Sequence, residues 1–478
     1  MPQARHERGA PRAGGARLLA VSRALGGAAD EPVLSTSRTE ALLKGPILPT
    51  LATLAAPGVA LALMQTTVSV ADTHFVGRLG TDALAGIALV FPLVMLLQMT
   101  SAGAMGGGVS SAVARSLGAG NIAGARTLVA HAMLIALAAG LAYTLLLLAL
   151  GHGLYALMGG RDGALRQALA YSDILFAGAV FVWLANTLAS VLRGSGNTLV
   201  PAIVLIGAAL VHIPLSGALT LGWAGLPALG IAGAAIAYVA AAAIASLAMG
   251  AYLWRSRLRP RREDWKPRRR TFGEILRVGL VSSLSALQTV LTAVIVTGFV
   301  GAFGTTALAG YGVGLRLELM QVPIVFAIGQ SLVVLVGTNI GAGQAARAKR
   351  IAWVGAAIAA GCCAATGFFT ALFPATWVGL FSQDAGVLDI GSRYLRIVAP
   401  FYVFFGAGVA LYFASQGSGK VLLPVLAGTA RLLVVMAGGV LAVQVFASLT
   451  ALFAAIAFGM LLLGTITAWS VHRTRWGN

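Results

Sequence analysis

Apolar residues form long runs along nearly the whole chain, separated by short segments that contain glycine, proline or charge. Each run approaches the length of about 20 residues that an α-helix needs to cross a bilayer. Backbone in lipid must satisfy its own hydrogen bonds, so such runs predict helices. We expect twelve spans, near residues 46–70, 83–107, 127–150, 169–191, 199–221, 229–253, 278–301, 307–336, 350–374, 393–414, 421–444 and 448–471.

The composition supports an all-α membrane protein. Hydrophobic residues make up 58% of the 478 positions and charged residues only 10%, and the mean hydropathy is +0.89. A net charge of +19 would fit a nucleic-acid partner. The basic residues, however, lie in loops and tails rather than on one soluble face, so no nucleic acid is expected.

The distribution of Lys and Arg predicts the orientation. With both termini in the cytoplasm, 26 of the 33 basic residues fall on the cytoplasmic side, five fall outside, and Arg316 and Arg431 fall within spans. This asymmetry follows the positive-inside rule. We therefore expect a multi-pass protein of the bacterial plasma (inner) membrane with cytoplasmic termini.

The chain contains an internal repeat. Asp72–Gly86 and Val296–Gly310 are identical at 10 of 15 positions, but Val296 stands opposite Asp72. The offset is 224 residues there and 223 at two later pairs, so one small insertion or deletion separates them. These pairs are Gly118-Ala119-Gly120 with Gly341-Ala342-Gly343, and Arg193–Pro201 with Gln416–Pro424.

The repeat predicts two lobes of six helices each. Because six is even, both units enter the membrane in the same direction, and a pseudo-twofold axis along the membrane normal should relate them. Two such bundles enclose a cleft, as in alternating-access transporters. The expected domains are a disordered cytoplasmic tail (1–45), an N-lobe (46–254), a basic cytoplasmic linker (255–277), a C-lobe (278–471) and a cytoplasmic tail (472–478).

Asp72 is the first candidate functional residue. A carboxylate at membrane depth is costly, and desolvation favours its protonated form, so Asp72 could exchange protons. The alternative is an interfacial Asp that caps the turn before span 2. His212, in the middle of span 5, titrates near physiological pH. Its alternative role is that of a hydrogen-bonded packing residue.

These repeated motifs resemble the MATE (multidrug and toxic compound extrusion) family over residues 46–471, with the DinF-type branch as one candidate placement. The similar segments are Asp72-x-x-Phe-Val-Gly-x-Leu-Gly with Ala83-Leu84-Ala85, the two Gly-Ala-Gly loops, and the Gly-x-Gly-Asn/Lys-x-x-x-Pro turns. The resemblance implies two six-helix lobes around a central cavity. It also implies export of organic cations in exchange for protons or sodium.

The resemblance implies particular site residues. The family's span 1 acid matches Asp72, and its bend-forming proline matches Pro57. A Glu that some members carry in span 7 is absent here, where Gln288 or Thr289 stands. The implied cation-coupling residues are Asp72, His212, Ser216 and Tyr238. Because sodium prefers oxygen ligands over a protonatable nitrogen, His212 favours protons as the coupling ion.

Further polar residues within spans are candidates for a substrate cavity. Arg316 and Glu318 are two residues apart, so on a helix they point to different faces and should not pair. Arg431 is a candidate partner of Glu318. The alternatives are ion pairs and hydrogen bonds that only hold helices together. The candidates are Asn186, Gln288, Arg316, Glu318, Gln321 and Arg431.

The leading hypothesis is therefore a secondary antiporter that exports organic cations or amphipathic drugs. A lipid or polysaccharide-precursor flippase of the same superfamily is the first alternative, and a channel or sensor is the second. The sequence has no Walker-type loop and no cluster with metal-ligand spacing, so we expect no enzyme, no metal and no cofactor. The expected partners are small molecules, protons or sodium, and membrane lipids, and we expect a monomer.

Overall fold

The computed structural model describes residues 36–477. Eleven helices are long and apolar enough to cross a membrane, and a pair bent by 51° at Gly178 makes a twelfth span. We label the spans in chain order. They are α1 (Ile47–Gly77), α2 (Thr81–Gly118), α3 (Ile122–Leu157), α4 (Asp162–Ala177 with Ala179–Gly194), α5 (Leu199–Leu221), α6 (Ile231–Trp254), α7 (Arg269–Gly301), α8 (Thr305–Gly341), α9 (Ala345–Leu372), α10 (Ala385–Ser418), α11 (Leu422–Gln444) and α12 (Leu449–Arg473).

The all-α class and the twelve spans are confirmed, but three boundaries differ from expectation. α1 continues to Gly77, so Asp72 lies inside a helix rather than in the turn after it. α7 begins at Arg269, which shortens the basic linker to residues 255–268. Thr36–Lys44 forms a helix, so the prediction of a disordered tail is wrong for these residues. The rest of that prediction, residues 1–35, lies outside the described residues.

The helix Thr36–Lys44 packs on the C-lobe. Its Leu42 is 5% exposed and belongs to the hydrophobic core of α7–α12. The Nδ2 atom of Asn339 in α8 donates to the Leu42 carbonyl at 3.1 Å, and Arg347 donates to the Gly45 carbonyl. These long-range contacts order a segment whose own sequence is too short and polar to predict a stable helix.

Glycines bring the two lobes together symmetrically at one end of the molecule. A Cβ atom on Gly118 would lie 2.0 Å from the Thr338 carbonyl oxygen, and one on Gly341 would lie 2.0 Å from the Arg115 oxygen. Both pairs are related by the 223-residue offset. Small residues allow such close backbone approach in membranes. The pseudo-twofold axis therefore passes between the ends of α2 and α8.

The duplicated motif also repeats its local geometry. Gly80 precedes α2 with a φ of 108°, and Gly304 precedes α8 with a φ of 99°. Side chains disfavour this left-handed region, whereas glycine tolerates it. The turn geometry thus explains why both copies carry glycine here.

The change of offset between the repeats occurs within α2. This helix has 38 residues and α8 has 37, although both follow the same duplicated turn. Met99–Met105 in α2 is π-helical. A π-bulge accommodates one extra residue within a helix and is frequent at functional sites. The π-helical turn therefore accounts for the extra residue of α2 without breaking the helix.

We call the side at which α1 begins and α12 ends the terminal face, and the opposite side the far face. The lobes are joined near the terminal face. Across the lobe boundary, Ser111 Oγ and Arg115 Nη1 donate to the Gly417 carbonyl at 3.1 and 3.2 Å. A Cβ atom added to Gly337 of α8 would lie 3.0 Å from the Cβ atom of Ala114 in α2.

Candidate coupling site and cavities

Asp72 meets two side chains of α5 in the half of the N-lobe nearer the far face. His212 Nε2 lies 3.0 and 2.9 Å from the two carboxylate oxygens. Ser216 Oγ donates to Oδ1 at 2.6 Å. The spacing of four residues places His212 and Ser216 on one face of α5. The structure thus brings these three predicted coupling residues into direct contact.

This arrangement differs from a helix cap. The N-cap of α2 is Gly80, and no side chain caps this helix. The side chains of Asp72 and His212 are 18% and 2% exposed, respectively. Asp72 is therefore a mostly buried acid bonded to another helix rather than an interfacial turn residue.

Tyr238 of α6 lies beside His212 but does not bond Asp72 in the structure. The two rings meet edge to face with 6.2 Å between their centroids. The Tyr238 hydroxyl accepts a hydrogen bond from Gln98 Nε2. Asn186 Nδ2 in turn donates to Gln98 Oε1 at 3.0 Å and to Ser101 Oγ at 2.8 Å. Asn186 and Tyr238 therefore belong to one polar chain that begins next to the acid.

His212, Tyr238 and the Gln98–Asn186 pair line a cavity within the N-lobe, which we call the N-lobe cavity. Apolar residues of α1, α4, α5 and α6 supply the rest of its wall. Its polar lining consists of Gln65, Gln98, Asn186, His212 and Tyr238.

Sequence reasoning missed Gln98. A single amide in an apolar run is a weak signal, because most such residues only join helices. At the 224-residue offset that applies before the π-turn, Gln98 corresponds to Val322, so the repeat does not indicate it. No pattern in the sequence indicated that Ser101, its neighbour in the network, lies in a π-turn.

The chemistry of the Asp72 site is that of a carboxylate paired with an imidazole and a hydroxyl group. When Nε2 of His212 carries hydrogen, it donates to the carboxylate, and Ser216 adds a second donor. Either Asp72 or His212 can take up one further proton, which changes the charge of a pair that is shielded from water. In a site of low dielectric such a change alters the local electrostatic energy strongly.

The C-lobe carries a different buried acid. Glu318 of α8 lies 3.8 Å from Arg431 of α11, measured between Oε1 and Nη2. Tyr394 OH donates to Glu318 Oε2 at 3.2 Å. Arg316 does not join this cluster, because it is exposed and lies over the Phe381 ring at 5.0 Å. The spacing argument that separated Arg316 from Glu318 therefore agrees with the structure.

A second cavity, the C-lobe cavity, opens between α7, α8, α10 and α11. The π-helical part of α2 contributes Met99 and Gly103 to its wall. Gln321 is buried but does not line this cavity, and its amide has no hydrogen-bond partner among residues 36–477. The main polar and aromatic lining residues are Ser282, Gln288, Phe326, Phe405, Tyr412 and Arg431.

Pro57 lies near the middle of α1. The helix is continuous from Ile47 to Gly77 through this proline. Its neighbour Gly58 packs near Ala327 of α8. A Cβ atom added to Gly58 would lie 3.2 Å from the Ala327 Cβ atom. The bend expected at Pro57 stays a prediction.

Comparison with known proteins identifies the family. The MatE family model matches residues 57–217 and 282–441, one segment in each lobe and more than half of the chain. An FAD transporter of Shewanella oneidensis is 27% identical over 73% of this chain and 76% of its own. A probable multidrug resistance protein, YoeA, of Bacillus subtilis has the same identity and coverage.

Solved structures share the fold. A MOP superfamily transporter from Pyrococcus furiosus superposes with a TM-score of 0.82 at 23% identity, over 91% of this chain and 98% of the other. The chain belongs to the MatE family of membrane transporters, as the resemblance predicted. It is a multi-pass membrane protein and not an enzyme.

Proposed function

We propose that the protein is a secondary antiporter that exports organic cations or amphipathic compounds in exchange for protons. The observation that carries the proposal is the contact of the Asp72 carboxylate with His212 and Ser216 in the wall of the N-lobe. An ionisable pair at membrane depth is costly and marks a functional site by default. Protonation of this pair supplies the charge change that a proton-driven cycle needs.

The identity of the ligands favours protons over sodium. Sodium is a hard cation that prefers several oxygen ligands, as calcium and magnesium do. Among the described residues, one of the two side chains that contact the Asp72 carboxylate offers a nitrogen instead. His212 is, moreover, the residue type whose charge changes near physiological pH.

The packing of the lobes supports alternating access. The glycine contacts of α2 with α8 close the path at the terminal face, whereas both cavities lie further along the helices. With cytoplasmic termini, this arrangement is closed toward the cytoplasm. Transport then requires the lobes to separate at the terminal face and close at the far face.

The names of the relatives support a broad class of transported compound. One is named as an FAD transporter, and others are named as multidrug resistance proteins, including one of Pseudomonas aeruginosa. These names refer to FAD and to drugs. We therefore assign this chain small organic cargo, moved across the plasma (inner) membrane.

Transport under separately imposed ion gradients tests the proposal. The purified protein is reconstituted into vesicles, and uptake of a fluorescent dye is followed with a pH gradient and no sodium. We expect transport that collapses when a protonophore is added, because the gradient is then lost. Transport that requires a sodium gradient and ignores the protonophore would contradict the proposal.

A further inference from the structure

The C-lobe cavity has an unusual charge. Arg431 is the one charged side chain among the described residues that line it, and no acid is exposed to the cavity. The rest of the polar wall is neutral, with hydroxyl and amide groups from Ser282, Ser285, Gln288, Thr289, Thr292 and Tyr412. A compound in this cavity therefore meets one positive charge and no negative charge among the described lining residues.

The Arg431 guanidinium makes no hydrogen bond within residues 36–477. Its Nε is buried without a partner, and the Glu318 oxygen at 3.8 Å is beyond hydrogen-bond range of Nη2. A guanidinium has five N–H donors and no acceptor. Burying such donors unpaired is costly, so an acceptor that reaches them from the cavity gains binding energy.

The remaining wall suits a flat apolar body. Phe326 and Phe413 meet edge to face at 5.2 Å, and Tyr412 meets Phe413 in the same way at 5.3 Å. The Arg431 guanidinium lies over the Phe405 ring, with 5.8 Å between Cζ and the ring centroid. Aromatic walls bind aromatic ligands through stacked or edge contacts.

The second unpaired group is an acceptor. Gln288 is 5% exposed, and its Nε2 donates to Thr429 Oγ1 at 2.7 Å. Its Oε1 has no hydrogen-bond partner in the described part of the chain. This atom has almost no exposed surface and lies against Gly428 of α11, so it offers the cavity no free acceptor. The wall thus offers one cationic donor group beside an aromatic surface.

We propose that the C-lobe cavity binds aromatic amphipathic compounds that carry a carboxylate or similar anionic group, with that group on Arg431. The inference rests on the proposed export activity and narrows its cargo: this cavity takes amphipathic compounds that carry an anionic group, not organic cations. Glu318 is the competitor: it lies behind Arg431, outside the cavity lining, and partly neutralises it. A ligand carboxylate gains the hydrogen bonds that Glu318 does not make.

Equilibrium binding of three matched probes tests the proposal without any ion gradient. The probes are 9-anthracenecarboxylate, 9-anthracenemethanol and 9-(aminomethyl)anthracene, which share one ring system and differ in charge. Fluorescence titration uses the full chain in phosphatidylcholine nanodiscs, with empty nanodiscs subtracted. We expect the anion to bind about tenfold more tightly than the cation, because charged hydrogen bonds discriminate by at least this factor. Equal affinities, or tighter binding of the cation, would overturn the proposal.

Variants assign the preference to Arg431. Arg431→Gln should abolish the preference for the anion, and Arg431→Lys should retain part of it. Glu318→Gln should raise the affinity for the anion, because the competing charge is gone. The double variant Arg431→Gln/Glu318→Gln removes both members of the ion pair, so neither charge is left buried without its partner. It should show no preference between the anionic and cationic probes. A preference that survives in this folded double variant would contradict the assignment.

Arg316→Gln is the matched control. It removes the same side chain from the same lobe, but Arg316 is exposed over Phe381 and does not line the C-lobe cavity. Its probe affinities should equal those of the parent protein. A loss of anion preference in Arg316→Gln would show that the preference arises from the overall surface charge rather than from the cavity, and it would overturn the proposal. Because binding needs no gradient, failure here is distinguishable from failure of proton coupling.

Discussion

The two lobes share a backbone plan but differ in their buried chemistry. At the repeat offsets, Asp72 corresponds to Val296 and His212 corresponds to Val435. Both valines are buried, at 3% and 0% exposure. Conversely, Arg431 of the C-lobe corresponds to Ala208, which is 5% exposed. Each lobe therefore fills with apolar side chains the positions where the other places charge.

The comparison separates the residues that support the fold from those that perform chemistry. The repeat preserved the glycines where backbones meet, such as Gly118 and Gly341. Close packing at these sites tolerates no side chain. Cavity walls tolerate exchange between polar and apolar residues more easily, since only local hydrogen bonds must be satisfied. This contrast is the basis of the proposed roles of the lobes, with proton coupling in the first and cargo binding in the second.

Cross-linking the lobes should have the largest effect on transport. Ala114 and Gly337 face each other near the axis, and Cβ atoms there would lie 3.0 Å apart. In a background without Cys362 and Cys363, oxidised Ala114→Cys/Gly337→Cys should lose transport because the lobes cannot separate. Vesicle uptake before and after reduction measures this. Full transport by the demonstrably cross-linked protein would contradict alternating access.

Ser216→Ala should have a moderate effect, confined to the N-lobe. Ser216 donates to the Asp72 carboxylate at 2.6 Å. Without this donor the carboxylate keeps only His212 as a bonded side chain among the described residues. The pH profile of transport should therefore differ from that of the parent protein by about one unit at its midpoint.

The control for this variant is Thr67→Ala on the same helix as Asp72. Its hydroxyl bonds only the Leu63 carbonyl within the described residues. The Thr67→Ala profile should coincide with that of the parent protein. An unshifted profile in Ser216→Ala would remove this serine from the coupling site.

Gly341→Ala should have the smallest effect on transport and should mainly lower stability. The new methyl group would lie 2.0 Å from the Arg115 oxygen, so backbone must move. Such overpacking costs about 1–3 kcal/mol. A thermal unfolding scan of the purified protein should show a lower midpoint. Gly361→Ala is the control, because no atom lies within 4 Å of its added Cβ. Equal midpoints for the two variants would contradict the close approach.

The sequence predicted the membrane spans, which are long apolar runs, and the two-lobed plan, which follows from the internal repeat. The twelve spans follow from apolar length, and the twofold follows from an even number of spans per unit. The contact of Asp72 with His212 and Ser216 was reached through the family resemblance, not through spacing alone. Such contacts between distant helices depend on how the helices are rotated, which periodicity in an all-apolar span does not reveal.

The features that were missed depend on tertiary context. Helix Thr36–Lys44 is stabilised by Asn339 and by the C-lobe core rather than by its own sequence. The π-turn Met99–Met105 arises from a single extra residue whose position within α2 the sequence does not specify. The network through Gln98 depends on that turn, because Ser101 lies within it.

The central claim is that the acid of the first lobe, and not that of the second, couples transport to protons. Asp72→Asn and Glu318→Gln each replace one partly buried carboxyl group with an amide of similar size. Their proton-driven dye uptake should be measured side by side in vesicles of equal protein content. We predict that Asp72→Asn falls to the level of protein-free vesicles while Glu318→Gln still responds to the pH gradient. Proton-driven uptake by Asp72→Asn, with loss of it in Glu318→Gln, would contradict the account.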